Sequence, residues 1–343
     1  MSHAAPALAS RSRRRFLRQL GALAGLPLLS RPAWAADPAP IRPRPLRSPD
    51  SLKIVTANLR ETKDEDYETG NGWTQRRELC RDILLAQHAQ LFCFQECRLA
   101  QLAYFKRFFA DHEWFGLANL RPGKTEEPSN AILYSTARFA RIDAGGFWLS
   151  ETPQVRSSRS WDTAAPRFVN WVRLRDRRAD RELLVWNTHL DYHSRIAREN
   201  SCLLLAQAAQ KFPADLPQLL TGDMNARGTP MRTRRIIENG KTVRTEPIEN
   251  PPPRSRAIQN LLDGGWIDTY AERHGDGEPG LTAHQFRGEE FAATEQGQAR
   301  TKIDYIFRRG PLETLDAEII RDHRAGRYPS DHYFVSAELA YRT

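Results

Sequence analysis

The chain has 343 residues and a formal net charge of +9 at pH 7, from 51 Lys and Arg against 42 Asp and Glu. Six of the arginines and none of the acids lie in residues 1–35, so the rest of the chain has 45 basic against 42 acidic side chains, a net charge of +3. A protein that tracks along DNA usually carries a strong basic surplus, so this balance argues against a dedicated DNA-binding enzyme.

Residues 1–35 are predicted to be an export signal. Arg13 and Arg14 lie in a basic stretch, residues 20–29 form an apolar run too short to span a bilayer, and residues 33–35 supply small side chains for cleavage. Paired arginines before such a run are typical of the twin-arginine pathway, which predicts a periplasmic or secreted protein. An uncleaved anchor and a chance basic start are the alternatives.

The remainder of the chain divides into a linker and one domain. Residues 36–50 are rich in Pro and Arg and lack periodicity, which predicts a linker. Residues 51–343 are of normal length for one large α/β sandwich and contain no internal repeat. None of the four cysteines belongs to a Cys-x-x-Cys pair, so neither a zinc site nor a redox dithiol is indicated. We expect small buried thiols at Cys80, Cys93, Cys97 and Cys202, and their disulfide state is left open.

The first half of the domain is predicted to alternate between strands and helices. Alternating or β-branched apolar residues indicate strands, and apolar residues every three or four positions indicate helices. The predicted strands are 52–57, 91–95, 130–134 and 147–150, and the predicted helices are 73–89 and 99–109. Two of these strands end in polar side chains, at Asn58 and Glu96.

The second half repeats this organisation. The predicted strands are 168–174, 183–190, 218–221, 303–307 and 333–339, and the predicted helices are 193–212 and 255–262. In the helix 193–212, Ile196, Leu203 and Leu204 are expected to lie on one side. Histidine or carboxylate side chains again stand at or near the strand ends, at His189, Asp223, Asp304 and His332.

The buried strand 218–221 ends in Gly222-Asp223-Met224-Asn225. Residues two apart in an extended segment face the same side, so Asp223 and Asn225 can point at one ligand. An isolated motif of this kind is as readily an Asx turn. The other strand ends favour a site, because carboxylates, two histidines and an asparagine gathered at one sheet edge can hold a hard cation beside proton-transfer groups.

Six motifs, in this order from about Lys53 to Leu339, resemble the endonuclease/exonuclease/phosphatase superfamily, which has the deoxyribonuclease I-like fold. They are Thr56-Ala57-Asn58-Leu59, Gln95-Glu96, Asn187-Thr188-His189, Gly222-Asp223-Met224-Asn225, Ile303-Asp304-Tyr305 and Ser330-Asp331-His332. The resemblance implies an α/β fold, a four-layer α/β sandwich of two packed, mainly antiparallel β-sheets flanked by helices. It also implies metal-dependent hydrolysis of phosphate mono- or diesters by in-line attack of an activated water.

The resemblance also implies a metal site. Glu96 would bind a divalent cation, Mg²⁺ with Mn²⁺ as a possible substitute, and Asn58 and Asp331 would lie near it. Magnesium favours one or two carboxylates together with water and phosphate oxygens. Arg60 stands where the abasic-endonuclease branch often has Asp, so a second metal is in doubt.

The implied catalytic residues are His189, Asp223, Asn225, Asp304 and His332. Asp223 would position or deprotonate the attacking water, and Asn225 would donate to the phosphoryl group. Asp304 would orient His332 beside the phosphate, while His189 would stabilise developing charge from the other side. Which group is the base stays open.

Three further residues are candidates for substrate binding: Asn130, Arg167 and Asp191. Arg167 opens the strand 168–174 and could meet a substrate anion, or equally form a surface ion pair. The segment Thr282-Ala283-His284 resembles one that precedes the last catalytic aspartate in related enzymes, and its role is left open.

Two alternatives to this function remain. One is an exported endo- or exonuclease acting on DNA or RNA, and the other, more remote, is a binding module that kept the fold without catalysis. We expect a phosphate-ester substrate, no stable membrane insertion and a monomer. Nucleic acid is a possible partner that the net charge of +3 does not indicate.

A polar stretch, 231–256, is predicted to be an insertion. It contains seven Lys or Arg against three Glu, a net charge of +4, and Asn239-Gly240 lies between β-branched residues. Asn-Gly in that setting is a strong signal for a two-residue hairpin turn. Because the stretch begins six residues after Asn225, this basic hairpin should stand beside the site, either as a flap that selects anionic substrates or as a plain surface excursion.

Overall fold

The computed structural model describes residues 41–117, 130–228, 233–238, 241–247, 253–275, 280–298 and 301–342. The predicted export signal lies outside the described residues. The strands are β1 (Leu52–Asn58), β2 (Leu91–Gln95), β3 (His112–Phe115), β4 (Ile132–Ser135), β5 (Phe139–Trp148), β6 (Phe168–Asp176), β7 (Arg181–His189), β8 (Gln218–Asp223), β9 (Thr233–Glu238), β10 (Lys241–Pro247), β11 (Ile267–Asp268), β12 (Asp304–Arg309), β13 (Leu312–Ile320) and β14 (Phe334–Tyr341). The helices are α1 (Glu65–Glu68), α2 (Trp73–Leu85), α3 (Leu99–Lys106), α4 (Arg195–Gln210), α5 (Arg256–Asp263), α6 (Thr269–His274), α7 (Glu289–Ala293) and α8 (Glu295–Gln298).

Twelve of these strands form two six-stranded sheets. Their strand orders are β13-β14-β1-β2-β4-β3 and β11-β12-β8-β7-β6-β5. Only the pairs β1–β2 and β7–β8 are parallel among the described strands, so both sheets are mainly antiparallel, as predicted. In each parallel pair the strand ends meet, which places Asn58 beside Gln95 and His189 beside Asp223.

Period-two alternation along the strands builds the four layers. In β1, Ile54 belongs to the core between the sheets, whereas its neighbour Val55 packs with residues of α2 and α3. In β7, Val185 likewise belongs to the central core, whereas Leu184 packs with residues of α4 and α5. The predicted sandwich of two sheets with outer helices is therefore confirmed.

The predicted apolar side of the helix 193–212 is wrong. In α4, Ile196 is 52% exposed and Leu203 is 43% exposed. The buried face carries smaller side chains instead, among them Ala197, Cys202 and Ala209. Small side chains let a helix pack closely on a sheet, whereas the prediction depended on the larger apolar side chains of this helix.

Some boundaries also differ from the predictions. Helix α2 ends at Leu85, four residues before the predicted end, and strand β5 begins at Phe139, eight residues before the predicted start. Strands β3 and β13 were not predicted. β13 reads Leu-Glu-Thr-Leu-Asp-Ala-Glu-Ile-Ile, in which several apolar positions are replaced by acids, because the strand lies at the edge of its sheet.

The described part of the predicted linker contacts the domain. Arg44 Nε lies 2.9 Å from Glu318 Oε2, and Arg44 NH2 lies 2.6 Å from Asp322 Oδ2. Arg47 pairs with Asp316 at 2.8 Å. Residues 44–47 are therefore held along the outer edge formed by β13 and the turn after it.

The basic stretch 231–256 contains the predicted hairpin. Strands β9 and β10 pair antiparallel with Lys241 opposite Glu238, which leaves two residues for the turn, and these lie outside the described residues. All four cysteines are free and buried, as expected. None of the described helices combines the length and apolar character that a membrane crossing needs.

Candidate active site

One hydrogen-bonded amide joins the two sheets at the site. Asn58, at the end of β1, donates from Nδ2 to Glu96 Oε1 at 3.2 Å and to Asp223 Oδ2 at 3.1 Å. Glu96 follows β2 in the first sheet, and Asp223 ends β8 in the second. The predicted metal-site residues Asn58 and Glu96 therefore lie against the predicted catalytic residue Asp223.

Glu96 is held as a carboxylate. Its backbone is left-handed, with φ of +53°, and its Oε2 accepts from the backbone N–H of Glu61 at 3.0 Å. Burial by itself would raise the pKa of Glu96, but His189, the Glu61 N–H, His332 and Asn58 lower it to about 2. A buried carboxylate that stays ionised at neutral pH has the charge that a divalent cation requires.

Asp331 lies beside an arginine. Arg60 NH1 is 3.4 Å from Asp331 Oδ2, while Arg60 Nε is fixed 3.0 Å from Asp66 Oδ2. Burial opposes the charge of Arg60, but Asp66 and Asp331 raise the pKa of the guanidinium, and Glu96 adds to the effect. Arg60 thus brings a permanent positive charge next to two of the predicted metal ligands.

His332 and Asp304 form the predicted pair. His332 Nδ1 lies 2.9 Å from Asp304 Oδ2, and both side chains are nearly buried. Burial alone would lower the pKa of His332, but the Asp304 charge and hydrogen bond raise it well above its usual range, with help from Asp223 and Asp331. The imidazole is therefore protonated at neutral pH and held in one orientation.

Asp223 stands between the two histidines. Its Oδ2 is 3.5 Å from His189 Nε2 and 3.9 Å from His332 Nδ1. Asp304 is directly opposite Asp223 in the β8–β12 pairing. Burial and the neighbouring Asp304 charge raise the pKa of Asp223, which moves it toward the range of a general base.

The strand end that carries Asp223 needs a glycine. Gly222 has φ of +151°, and a Cβ at this position would lie 2.1 Å from Thr188 O. The close approach keeps β8 tight against β7, so His189 and Asp223 stay neighbours. The Asx turn also exists, because Asn225 N donates to Asp223 Oδ1 at 2.9 Å, and it is part of the site rather than an alternative to it.

Asn225 contacts His189. Its Nδ2 lies 3.1 Å from His189 Nε2 and also donates to Leu190 O at 3.1 Å. The backbone of Asn225 is left-handed, with φ of +45°, which turns the amide back toward the histidine. Burial and the charge of Arg167 lower the pKa of His189, so this imidazole is neutral at pH 7.

Arg167 lies near the site, but Asp191 is better described as its support than as a substrate ligand. Asp191 Oδ2 is 3.5 Å from Arg167 Nε, and the Asp191 side chain is only 1% exposed. The carboxylate also accepts from the backbone N–H groups of Ala164, His193 and Ser194. These four partners account for the buried carboxylate without a substrate, and a substrate-binding role for Asp191 stays a prediction.

Asn130 is likewise engaged within the fold. It is 5% exposed, and its Nδ2 donates to Phe168 O at 3.0 Å. Its backbone O accepts from Asn170 Nδ2 at 2.7 Å. Asn130 thus connects the segment before β4 to β6, close to Arg167. These contacts within the fold do not require a substrate.

The segment Thr282–His284 supports the two ends of the His332–Asp304 pair. Thr282 Oγ1 accepts from the backbone N–H of Asp304 at 3.3 Å, and His284 N donates to Asp331 O at 2.8 Å. The His284 ring is buried and stacks on Tyr333 with 4.0 Å between centroids. This segment is therefore structural, and burial lowers the pKa of His284 to about 3.

The donor set suits a hard divalent cation. One candidate group is Asp223, Asp304 and His332, whose ligand atoms lie within 4.8 Å of one another. However, His332 Nδ1 and Asp304 Oδ2 already form a hydrogen bond, with 2.9 Å between the two atoms. The predicted ligand set of Glu96, Asn58 and Asp331 supplies oxygen atoms, which Mg²⁺ prefers, and it stays a prediction.

The sequence analysis assigned no role to two buried residues next to the site, Gln95 and Asn187. Gln95 and Asn187 belong to the motifs but were not assigned, and both are 0% exposed. Their positions in the sequence could have indicated a role, because Gln95 directly precedes Glu96 and Asn187 lies two residues before His189.

Solved structures with similar folds include phosphatases. A protein of the endonuclease/exonuclease/phosphatase family from Bacteroides thetaiotaomicron is 26% identical, with a TM-score of 0.68 over 86% of this chain and 100% of that one. A mannosyl-6-phosphatase from the same organism is also 26% identical, with a TM-score of 0.67 over 85% of this chain and 100% of its own. The catalytic domain of human Nocturnin shares the fold, at 15% identity and a TM-score of 0.62 over 91% of this chain and 99% of its own.

A sequence profile described as Endonuclease/Exonuclease/phosphatase family matches residues 55–332. The matched range begins in β1 and ends at His332, so it contains every candidate site residue named above. The order of the motifs, the two-sheet sandwich and the profile agree, and this chain belongs to the endonuclease/exonuclease/phosphatase family.

Proposed function

We propose that this protein is a Mg²⁺-dependent phosphoric ester hydrolase that cleaves a phosphate mono- or diester by in-line attack of water. The observation that carries the proposal is the pair of oppositely charged centres in one small site. His332 is held as an imidazolium 2.9 Å from Asp304, and Glu96 is held as a carboxylate beside Asn58. A phosphate oxygen can be attracted to the first centre while a cation is attracted to the second.

In the proposed reaction Asp223 takes the proton of the attacking water. Its raised pKa suits a base better than that of an ordinary aspartate. Asn225 would donate to the phosphoryl group with the amide proton that faces His189 Nε2 in this structure. The His332 imidazolium stabilises the negative charge of that group. The neutral His189 lies 3.5 Å from Asp223 and can receive a proton as charge develops.

Glu96, with Asn58 and Asp331, would hold the cation. When bound, such a cation neutralises charge on the phosphoryl oxygens and on the leaving alkoxide. Arg60, 3.4 Å from Asp331, adds positive charge on the same side. We therefore propose a single divalent ion, with Mn²⁺ able to replace Mg²⁺.

We place small phosphate esters before nucleic acids as substrates. The mannosyl-6-phosphatase is 26% identical over 85% of the chain, which supports a phosphorylated sugar as a first test compound. The net charge of +3 without residues 1–35 agrees with a small substrate. On the strength of the arginine pair before the apolar run, we further propose export by the twin-arginine pathway. A monomeric state stays a prediction.

The test is a substrate panel with the purified protein. Sugar phosphates, bis-p-nitrophenyl phosphate and plasmid DNA are compared with Mg²⁺, with Mn²⁺ and with EDTA. We expect metal-dependent release of phosphate or alcohol, abolished in Glu96→Gln. Faster cleavage of DNA than of any small ester would establish the nuclease alternative, and no turnover of any compound would favour the binding module.

A further inference from the structure

Four central strands, β1, β2, β7 and β8, direct side chains between the sheets in successive layers. One apolar layer of the central core consists of Ile54, Cys93, Val185 and Leu219. The next layer lies two residues nearer the site on each strand and contains no apolar side chain. We call it the polar layer. It consists of Thr56, Gln95, Asn187 and Thr221, each 0% exposed. A complete layer of buried amides and hydroxyls is a departure from ordinary sandwich cores.

Asn187 ties the second sheet to the first. From β7 it donates both amide protons to the other sheet, to Phe94 O at 2.9 Å and to Ala131 O at 3.1 Å. Its Oδ1 accepts from Gln95 Nε2 at 2.6 Å. The amide is therefore fully hydrogen-bonded, and most of its bonds cross between the sheets.

The two threonines complete the polar layer. Gln95 Nε2 also donates to Thr56 Oγ1 at 3.0 Å, within the first sheet. The Thr221 hydroxyl lies 3.2 Å from Asn187 Oδ1 and 3.0 Å from Trp186 O, within the second sheet. The network thus connects all four strands, and a fully satisfied buried network specifies one arrangement of its parts.

Each member of the polar layer stands directly below a site residue. Thr56 is followed two positions later by Asn58, Asn187 by His189, and Thr221 by Asp223. Gln95 immediately precedes Glu96, whose left-handed backbone turns its side chain toward the site. Because residues two apart on a strand share a face, a shift in this layer moves the site residue above it.

We propose that the polar layer is a positioning device for the hydrolytic site. Its inter-sheet hydrogen bonds set the distance between the sheet that carries Asn58 and Glu96 and the sheet that carries His189 and Asp223. Apolar packing alone is non-directional and would leave this distance free to drift by fractions of an ångström. The role of the layer in turnover rests on the proposed hydrolase function, whereas its role in geometry does not.

The first test replaces the central amide with an apolar group of similar size, in Asn187→Leu. Thr221→Val, which replaces one hydroxyl with a methyl group of similar size, is a milder variant in case the first folds poorly. We expect kcat to fall by about tenfold or more in Asn187→Leu and by less in Thr221→Val, with KM changed by less than about threefold, because misplacement affects the reaction more than binding.

The matched control is Val185→Ala, one layer farther from the site on the same strand. It creates a cavity and should lower Tm, yet kcat should stay within about twofold of wild type. If Asn187→Leu and Val185→Ala reduce Tm equally and both keep kcat near wild type, the polar layer is merely structural and the proposal is overturned.

A geometric readout separates this proposal from the proposed function. In a crystal structure of Thr221→Val or Asn187→Leu, the distance from Asn58 Nδ2 to Asp223 Oδ2, now 3.1 Å, should exceed hydrogen-bonding range. An unchanged distance in both variants would overturn the positioning role even if the wild type were active. A longer distance would support it even if the wild type hydrolysed none of the compounds tested.

Discussion

His332 and Asp304 come from different sheets, yet His332 Nδ1 lies 2.9 Å from Asp304 Oδ2. His332 lies two residues before the start of β14 in the first sheet, and Asp304 begins β12 of the second. Two neighbouring contacts hold this pair in place: Thr282 Oγ1 accepts from the backbone N–H of Asp304, and the backbone of Ala283 pairs with that of His332. The charge state of His332 therefore depends on how the two sheets are held together.

Asp304→Asn should reduce kcat, but less than His332→Ala, for which we expect a loss of roughly 100-fold or more. The Asp304 charge raises the pKa of His332, so its removal lowers that pKa. The loss of kcat with rising pH should then begin at a lower pH in Asp304→Asn. Profiles of kcat against pH for both proteins check this, and superimposable profiles would show that the pair has no role in turnover.

Glu96→Gln should reduce turnover by roughly 100-fold or more and weaken Mn²⁺ binding, because it removes the charge of the carboxylate that we propose as the main cation ligand. The amide keeps the volume of the side chain, and its oxygen can still accept from Glu61 N. Calorimetric titration with Mn²⁺ measures the affinity. Glu65→Gln, at an exposed carboxylate nearby, is the control, and equal affinities in the two variants would refute the metal assignment.

His284 should make the fold sensitive to acid. Burial lowers its pKa to about 3, whereas in the unfolded chain a histidine has a pKa of about 6.5. Below pH 6.5 the unfolded state binds a proton that the native state does not, so the free energy of unfolding falls as pH decreases, by about 1.4 kcal/mol per pH unit from this group.

Denaturant titrations at several pH values between 6 and 4 test this effect. In His284→Phe, which keeps a ring against Tyr333, the decline should be shallower by that amount. The absolute stability of the variant does not matter, since only the slope with pH is compared. Parallel slopes for the two proteins would mean that His284 is protonated in the native state.

Deleting residues 232–252 with a short glycine linker tests the basic hairpin. If the hairpin selects anionic substrates, KM for the natural anionic substrate should rise far more than KM for a small chromogenic ester. A second variant keeps the hairpin and replaces its basic side chains with Gln, which separates charge from shielding. The same change in KM for both substrates, or none, would leave the hairpin without a role in recognition.

Replacing Arg13 and Arg14 by Lys should leave precursor in the cytoplasm, because the twin-arginine pathway reads the guanidinium pair. Cell fractionation followed by immunoblotting and activity assays measures the distribution. A variant with Lys at Arg11 instead is the matched control. Undiminished activity in the periplasm of the Arg13 and Arg14 variant would rule out dependence on this pathway.

The sequence by itself determined the strands that carry the chemistry. Period-two alternation predicted β1 and β12, and apolar runs that end in polar residues predicted β2, β7 and β8. The order of these polar ends indicated the family. These features are local, because a strand's inward face and the residue that ends it can be recognised without knowing its neighbours.

Only the tertiary structure decided which polar groups meet. Asp191 supports Arg167 because three backbone N–H groups converge on it, and α4 buries small residues because of how closely it approaches the sheet. Asn187 reaches the other sheet only because the two sheets lie at one specific distance and register. Contacts across that gap depend on the packing of both sheets at once, and no single stretch of the chain contains this information.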